Sequence, residues 1–221
     1  MLTPIILIIV ALFVFWLYWR YIWFFRDPER QIPPGKTVVS PADGVVVYVK
    51  KVKHNHIPVS QKKGRMIPLK EDLKMLTRGE KYLVGVFMNP LSVHVNRAPI
   101  SGRVVHVRHY KHKNLVMTLM WLRTVLNIRP FYRYCEHMWE NERNIILIDG
   151  VFPLYVVQIA DLVVNKVECW IHHGQHVEKG ERIGMIKFGS QVDVAFPSKG
   201  IHIVVKEGDR VTAGESVLAR Y

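Results

Sequence analysis

The chain has 221 residues, 49% of them hydrophobic, and a formal net charge of +13. That is apolar material for one sizeable core in one principal domain, with a remainder at one end. Two cysteines, Cys135 and Cys169, are too few for a secreted disulfide framework and fit ordinary buried thiols in a reducing compartment. The positive charge points to an anionic lipid surface rather than to nucleic acid, because the basic residues are scattered through strand-like segments without aromatic stacking positions.

The remainder is the N-terminus. Pro4 to Trp19 carries no charge, and the apolar character continues to Phe25. About 22 helical residues span roughly 33 Å, enough for a bilayer core of roughly 30 Å. Bulky aromatics lead into charge where a cleaved leader would have small residues, so residues 1–25 are expected to be a retained membrane anchor. Trp16, Tyr18, Trp19, Tyr21 and Trp23 suit the headgroup belt. Arg20, Arg26, Arg30 and Lys36 follow the apolar run, which places the main domain on the cytoplasmic side of an inner or plasma membrane.

Residues 26–36 read as a linker, and 37–221 as one domain of short strands. Pro41-Ala-Asp-Gly44, Pro99-Ile-Ser-Gly102 and Pro197-Ser-Lys-Gly200 each feed a β-branched run. A second pattern, GxxVxxGE, spans Gly174 to Glu181 and again Gly208 to Glu215. These repeats resemble the hammerhead turns of lipoyl and biotinyl carrier domains, which implies a mainly β, barrel-sandwich fold. The carriers' modified lysine between two methionines is missing, so no swinging cofactor is expected. Between these repeats, the bulky stretch 114–139 has Leu115, Leu119, Leu122 and Leu126 at helical spacing, which predicts a helix or paired strands packed on the core, with a second membrane-dipping surface as the alternative.

Gly189-Ser190 interrupts the strand-like run Met185 to Phe196. Glycine weakens a strand and marks a bulge or close backbone approach, and the serine after it sets a nucleophile beside its own preceding carbonyl. Asp43 sits at the third position of the first Pro-x-x-Gly turn, where the sister turns carry Ser101 and Lys199, so the turn itself does not require a carboxylate. His94, between Val93 and Val95, bears the side chain best suited to proton transfer near neutral pH. Ser190, His94 and Asp43 together supply a nucleophile, a base and a carboxylate. His172, His173 and His176 suggest a metal at first sight, but His176 fills the turn slot of Arg210 in the sister repeat, and no metal site is expected.

Six segments in register resemble the short, membrane-associated form of the phosphatidylserine decarboxylase family. They are Phe25-Arg-Asp-Pro28, Val39 to Gly44, Val93 to Pro99, Asn141-Glu-Arg-Asn144, Val156 to Ala160 and Phe188 to Asp193. The resemblance implies a proenzyme that cleaves itself between Gly189 and Ser190 into 1–189 and 190–221, two chains that stay associated. The Ser190 hydroxyl would attack the Gly189 carbonyl, and elimination with loss of ammonia would leave a pyruvoyl group as the covalent cofactor. His94 is the implied base and Asp43 orients it. The implied reaction is decarboxylation of phosphatidylserine, or of archaetidylserine, to the ethanolamine phospholipid. Arg97 is a candidate for holding the substrate phosphate or carboxylate, from its charge and nearness to His94. The chain departs from family members at Asn89-Pro90 and Ser92, and at Arg97 where some carry a second histidine, which bears on the residue that protonates the substrate.

Two rivals remain open at the level of sequence. A non-enzymatic membrane adaptor would need a long heptad hairpin, and none is visible. An inactive lipid-binding relative would keep the fold and remain a single chain. The lipid backbone and any homo-oligomer are not specified by sequence.

Overall fold

Runs of β-branched residues between the Pro-x-x-Gly turns become strands, and the computed structural model describes residues 2–52, 79–111, 115–132, 141–161, 167–187 and 190–221. The strands are β1 (Thr37–Val39), β2 (Gly44–Val52), β3 (Lys81–Met88), β4 (Val95–Arg97), β5 (Gly102–Tyr110), β6 (Arg143–Asp149) and β7 (Pro153–Ala160). They continue as β8 (Val167–Cys169), β9 (His176–Val177), β10 (Arg182–Ile186), β11 (Ser190–Pro197), β12 (His202–Ile203), β13 (Arg210–Val211) and β14 (Val217–Arg220). One curled sheet has the order β13-β2-β3-β11-β7-β6-β5-β9, and two smaller sheets have the orders β4-β10-β8 and β1-β14-β12. The fold is mainly β with an apolar N-terminal helix, as expected.

Both faces of the large sheet are covered. Val46, Val84, Val156, Val192 and Val194 belong to one buried cluster, and Val47, Leu83, Leu147 and Val157 to a second. This is why β6 and β7 read as nearly unbroken apolar runs rather than as a polar alternation. The two GxxVxxGE repeats are structural equivalents. Gly208 N–H donates to the Val46 carbonyl at 2.8 Å, and Gly174 N–H donates to the Val104 carbonyl at 2.7 Å. Each repeat contains a two-residue strand, β9 or β13, that closes one edge of the sheet.

At the N-terminus, α1 (Leu2–Tyr18) runs into a π-helical turn over Trp19–Trp23. Together Pro4–Trp23 form 20 residues of mean hydropathy 2.3, unburied, long and apolar enough to cross a membrane. The segment read as a linker, 26–36, makes ion pairs with the domain. Asp27 accepts from Arg97 at 2.8 Å and also from Arg182, and Arg30 pairs with Asp43. Ile32 lies over Gly180, where a Cβ would run into the isoleucine side chain.

The leucine spacing does mark a helix, α2 (Thr118–Val125), but with a different face inward. Met117, Met120 and Phe131 are buried in the second cluster, while Leu115, Leu119, Leu122 and Leu126 are exposed. The leucine stripe is therefore not the core-facing stripe predicted from its period: one turn of methionine anchors suffices for so short a helix. Cys169 is half-buried, its thiol donating to the Ile171 carbonyl at 3.3 Å. Cys135 and residues 133–140 of the bulky stretch lie outside the described residues.

Candidate functional site

Ser190 is the first residue of β11, the strand held between β3 and β7, opposite Met88 on one side and Ala160 on the other. Its side chain lies on the same face as Val192, Val194 and Phe196, and the residue is fully buried. The strand-like run foreseen through Gly189 is divided, since β10 ends at Ile186. Gly189 and Phe188 lie outside the described residues. The Ser190 Oγ has no hydrogen-bond partner among the described residues. Such atoms are rare in folded proteins and mark sites of strain or chemistry.

His94 immediately precedes β4 and is fully buried. Its backbone carbonyl accepts from Ile186, at the end of β10, which ties the histidine to the strand leading toward Ser190. The ring lies 4.3 Å from that of Phe24. Nδ1 is 2.9 Å from the Ser92 carbonyl, an acceptor only, so Nδ1 carries the hydrogen and Nε2 keeps its lone pair. Nε2 is also buried without a partner among the described residues. Burial holds the imidazole down at about 4 against the pull of the Ser92 carbonyl, and the Arg26 charge adds to the depression. The ring is therefore a neutral acceptor at physiological pH, the state a proton abstractor needs.

Asp43 is not joined to His94 by a hydrogen bond. Its carboxylate takes both contacts from Arg30 Nη2, at 3.1 and 3.0 Å, and accepts the Ala213 N–H at 2.8 Å. The sister turn explains the second bond: there the Ser101 hydroxyl accepts the Lys179 N–H at 2.8 Å. One oxygen of Asp43 thus does a turn's work that a hydroxyl does elsewhere, and the charge is surplus to that work. Asp43 also lines a cavity of about 560 Å³ together with Arg26, Ser92, Val125 and Arg210. The cavity's two guanidinium groups against one carboxylate favour an anionic guest.

Arg97 does not line this cavity. Its residue is 4% exposed, with Nη1 on the Gly180 carbonyl and Nη2 on Asp27 and the Pro28 carbonyl. The histidines near 172–176 lie on an exposed turn, where His176 faces Glu178 at 3.2 Å. Among the described residues no three metal-ligating side chains converge.

Sequence reasoning assigned no role to a buried amide row on the Ser190 face of the sheet. Asn144 Nδ2 donates to Gln158 Oε1 at 2.9 Å, and Gln158 Nε2 donates to Asn96 Oδ1 at 2.8 Å. Asn96 in turn reaches the sulfur of Met88, the cross-strand neighbour of Ser190. The available signal was a polar residue within each of two apolar strands, β6 and β7. Phe24 and Arg26 were also unforeseen as groups around His94, and nothing local in the sequence pairs them with it.

The sequence profile of the family described as phosphatidylserine decarboxylase matches residues 17–219. A protein of Methanocaldococcus jannaschii, provisionally named an archaetidylserine decarboxylase proenzyme, is 38% identical over 90% of this chain and 88% of its own length. The phosphatidylserine decarboxylase proenzyme of Chlorobaculum tepidum is 36% identical over 90% of this chain and 76% of its own. That of Chlorobium phaeobacteroides is 33% identical, over 96% and 81%. With a mainly β fold and a buried serine and imidazole, these matches put the chain among the carboxy-lyases. It belongs to the phosphatidylserine decarboxylase family.

Proposed function

We propose that this chain is a proenzyme that cuts itself between Gly189 and Ser190 and then decarboxylates a serine phospholipid, phosphatidylserine or archaetidylserine, to its ethanolamine counterpart. The observation that carries the reading is that two buried atoms have no hydrogen-bond partner among the described residues, Ser190 Oγ at the head of β11 and His94 Nε2, in a chain of this family. A buried hydroxyl with no competing partner among the described residues is free to attack the carbonyl that precedes it. The attack converts the Gly189–Ser190 amide into an ester, with the amide nitrogen taking the proton the hydroxyl gives up. Loss of the Ser190 α-proton then expels the Gly189 carboxylate, and water releases ammonia from the nitrogen left behind. His94, neutral and held through Nδ1, takes the Ser190 hydroxyl proton at Nε2 and passes it to the amide nitrogen.

Ser190 is also the residue whose conversion would give the pyruvoyl group, at a buried position at the strand's start where its hydroxyl has no partner among the described residues. Once formed, that group supplies an electrophilic carbonyl and an electron sink as carbon dioxide leaves. The chain's own residues then bind and exclude water: Arg26 and Arg210 suit the lipid phosphate and carboxylate, and Phe24 covers the base. These two arginines support the anion-holding role better than Arg97, whose guanidinium is taken up by Asp27 and carbonyls. The ring of His94 is oriented by Ser92, which leaves Asp43 to act by charge from the groove. Pro4–Trp23 anchors the chain in a membrane with the basic residues after it on the cytoplasmic side.

The test is the mass of the purified chain under denaturing conditions. A fragment Ser190–Tyr221 lighter than its serine form by one ammonia, about 17 Da, and absent in Ser190→Ala, is the expected result. A single intact chain from folded material would overturn self-processing and favour an inactive lipid-binding relative.

A further inference from the structure

The bulky stretch after β5 leaves an apolar ridge beside the groove. Leu119, Trp121, Leu122, Val125, Leu126 and Ile128 are each at least 40% exposed, although Met117 and Met120 fasten the same segment to the core. Leu119, Leu122 and Leu126 fall on one helical face. Single exposed apolar residues are ordinary on a protein surface, but a contiguous set marks a contact.

Two further observations name the occupant. The ridge and the foot of the membrane-length helix border the same groove: Val125 and Leu91 line it with Arg26, and Arg26 donates to the carbonyls of Leu91 and Trp23, the last residue of that helix. Leu91 is itself 66% exposed. Cations also accompany the apolar residues, Arg123 and Arg129 in the ridge and Arg26 and Arg210 in the groove. Apolar side chains beside guanidinium groups are the composition that seats at the interface of an anionic bilayer.

We propose that residues 115–128 form a second bilayer-contact surface, seated in anionic lipid, which holds the mouth of the groove at headgroup depth. The inference rests on the lipid-substrate reading above. A single N-terminal helix tethers the domain without fixing its tilt, and a lipid lifted out of the bilayer would expose its acyl chains to water. A second contact on the groove's rim orients the domain so that the headgroup enters while the chains stay in the membrane.

The full chain is reconstituted in vesicles of phosphatidylcholine and phosphatidylglycerol containing a diazirine-bearing phosphatidylcholine, and photo-adducts are mapped by peptide mass spectrometry. Adducts within 115–128 as well as within 4–23 are expected, with none on peptides carrying Val151 or Val204, which are exposed apolar controls. Leu119→Glu with Leu122→Glu is expected to erase the adducts in 115–128, keep those in 4–23, and lower carbon dioxide release from vesicle-borne phosphatidylserine by roughly tenfold while the Ser190–Tyr221 fragment still forms. Adducts confined to 4–23 in the unaltered chain would overturn the proposal, as would crosslinking of 115–128 to a second copy instead of to lipid. If no variant releases carbon dioxide, the substrate reading fails while the adduct map still decides the contact.

Discussion

Two side chains carry the residue-scale argument. Asp43 serves both a turn and a charge, and the internal repeat offers the substitution that separates them. Asp43→Ser keeps an oxygen for the Ala213 N–H, as Ser101 does for Lys179, but removes the Arg30 pair and the negative charge. Its stability is expected to fall by no more than about 1 kcal/mol, as for a partly exposed ion pair. Self-cleavage, followed on gels, is expected to slow by about a hundredfold or more; normal cleavage would remove Asp43 from the chemistry. For His94, burial under Phe24 keeps the folded value at about 4, below the usual 6.5. The unfolded chain therefore binds more protons between those values, so this contribution is fully present above pH 6.5 and is lost as pH falls toward 4, by roughly 3 kcal/mol at most. Phe24→Leu, which keeps a smaller cover, is expected to raise the His94 value toward 6.5, as read by NMR titration. An unmoved titration would mean that Phe24 is not what keeps the ring dry.

At the scale of elements, β11 presents chemistry on both faces. Opposite Ser190's side, Asp193 accepts from the Tyr48 hydroxyl at 2.6 Å and from Gln191 Nε2 at 2.7 Å, fully enclosed in the second cluster. The tyrosine reaches it across Gly85, where a Cβ would come within 2.5 Å of the ring. Burial raises Asp193 to about 6, against hydrogen bonds from Tyr48 and Gln191 and the charges of Arg143 and Lys50. Here the folded state holds the proton more tightly, so stability falls as pH rises from about 4 to about 6, opposite in sense to His94. Asp193→Asn is expected to gain stability over the native chain by roughly 2 to 3 kcal/mol across that interval, in denaturant melts at successive pH values. A difference independent of pH would show that the carboxylate is ionised in the fold throughout.

At the scale of the whole molecule, the proposed cleavage position lies at the start of a strand enclosed by its neighbours. β11 pairs with β3 from Ser190 to Pro197 and with β7 from Ser190 to Ala195, and the residues after it supply β12, β13 and β14. Cutting before Ser190 severs one covalent link and leaves these ladders and both cores in place. The fragments 1–189 and 190–221 are therefore expected to elute together under native conditions and to part only at the unfolding transition. Separation in native buffer would show that the ladder does not hold the cleaved state.

Much of this was legible in the chain. Turn residues and β-branched runs announce strands because both act within a few residues, and the helical length of Pro4–Trp23 follows from an apolar run interrupted only at Arg20. Ser190, His94 and Asp43 stood out because each is a local exception: a small polar pair in an apolar run, a histidine between valines, an aspartate in a turn that does not need one. What the chain could not show alone was apposition. Phe24 over His94, Asp27 between Arg97 and Arg182, and the amide row from Asn144 to Asn96 join residues distant in sequence, and no local period encodes them. The leucines of α2 met the helical period yet face outward, since period defines a face and only the surrounding core decides which face is buried. The sequence determined the elements and the reactive residue types, because those depend on local sterics and chemistry; the tertiary structure alone decided which base is dry, which carboxylate is occupied and which apolar surface remains uncovered, because these depend on what lies opposite.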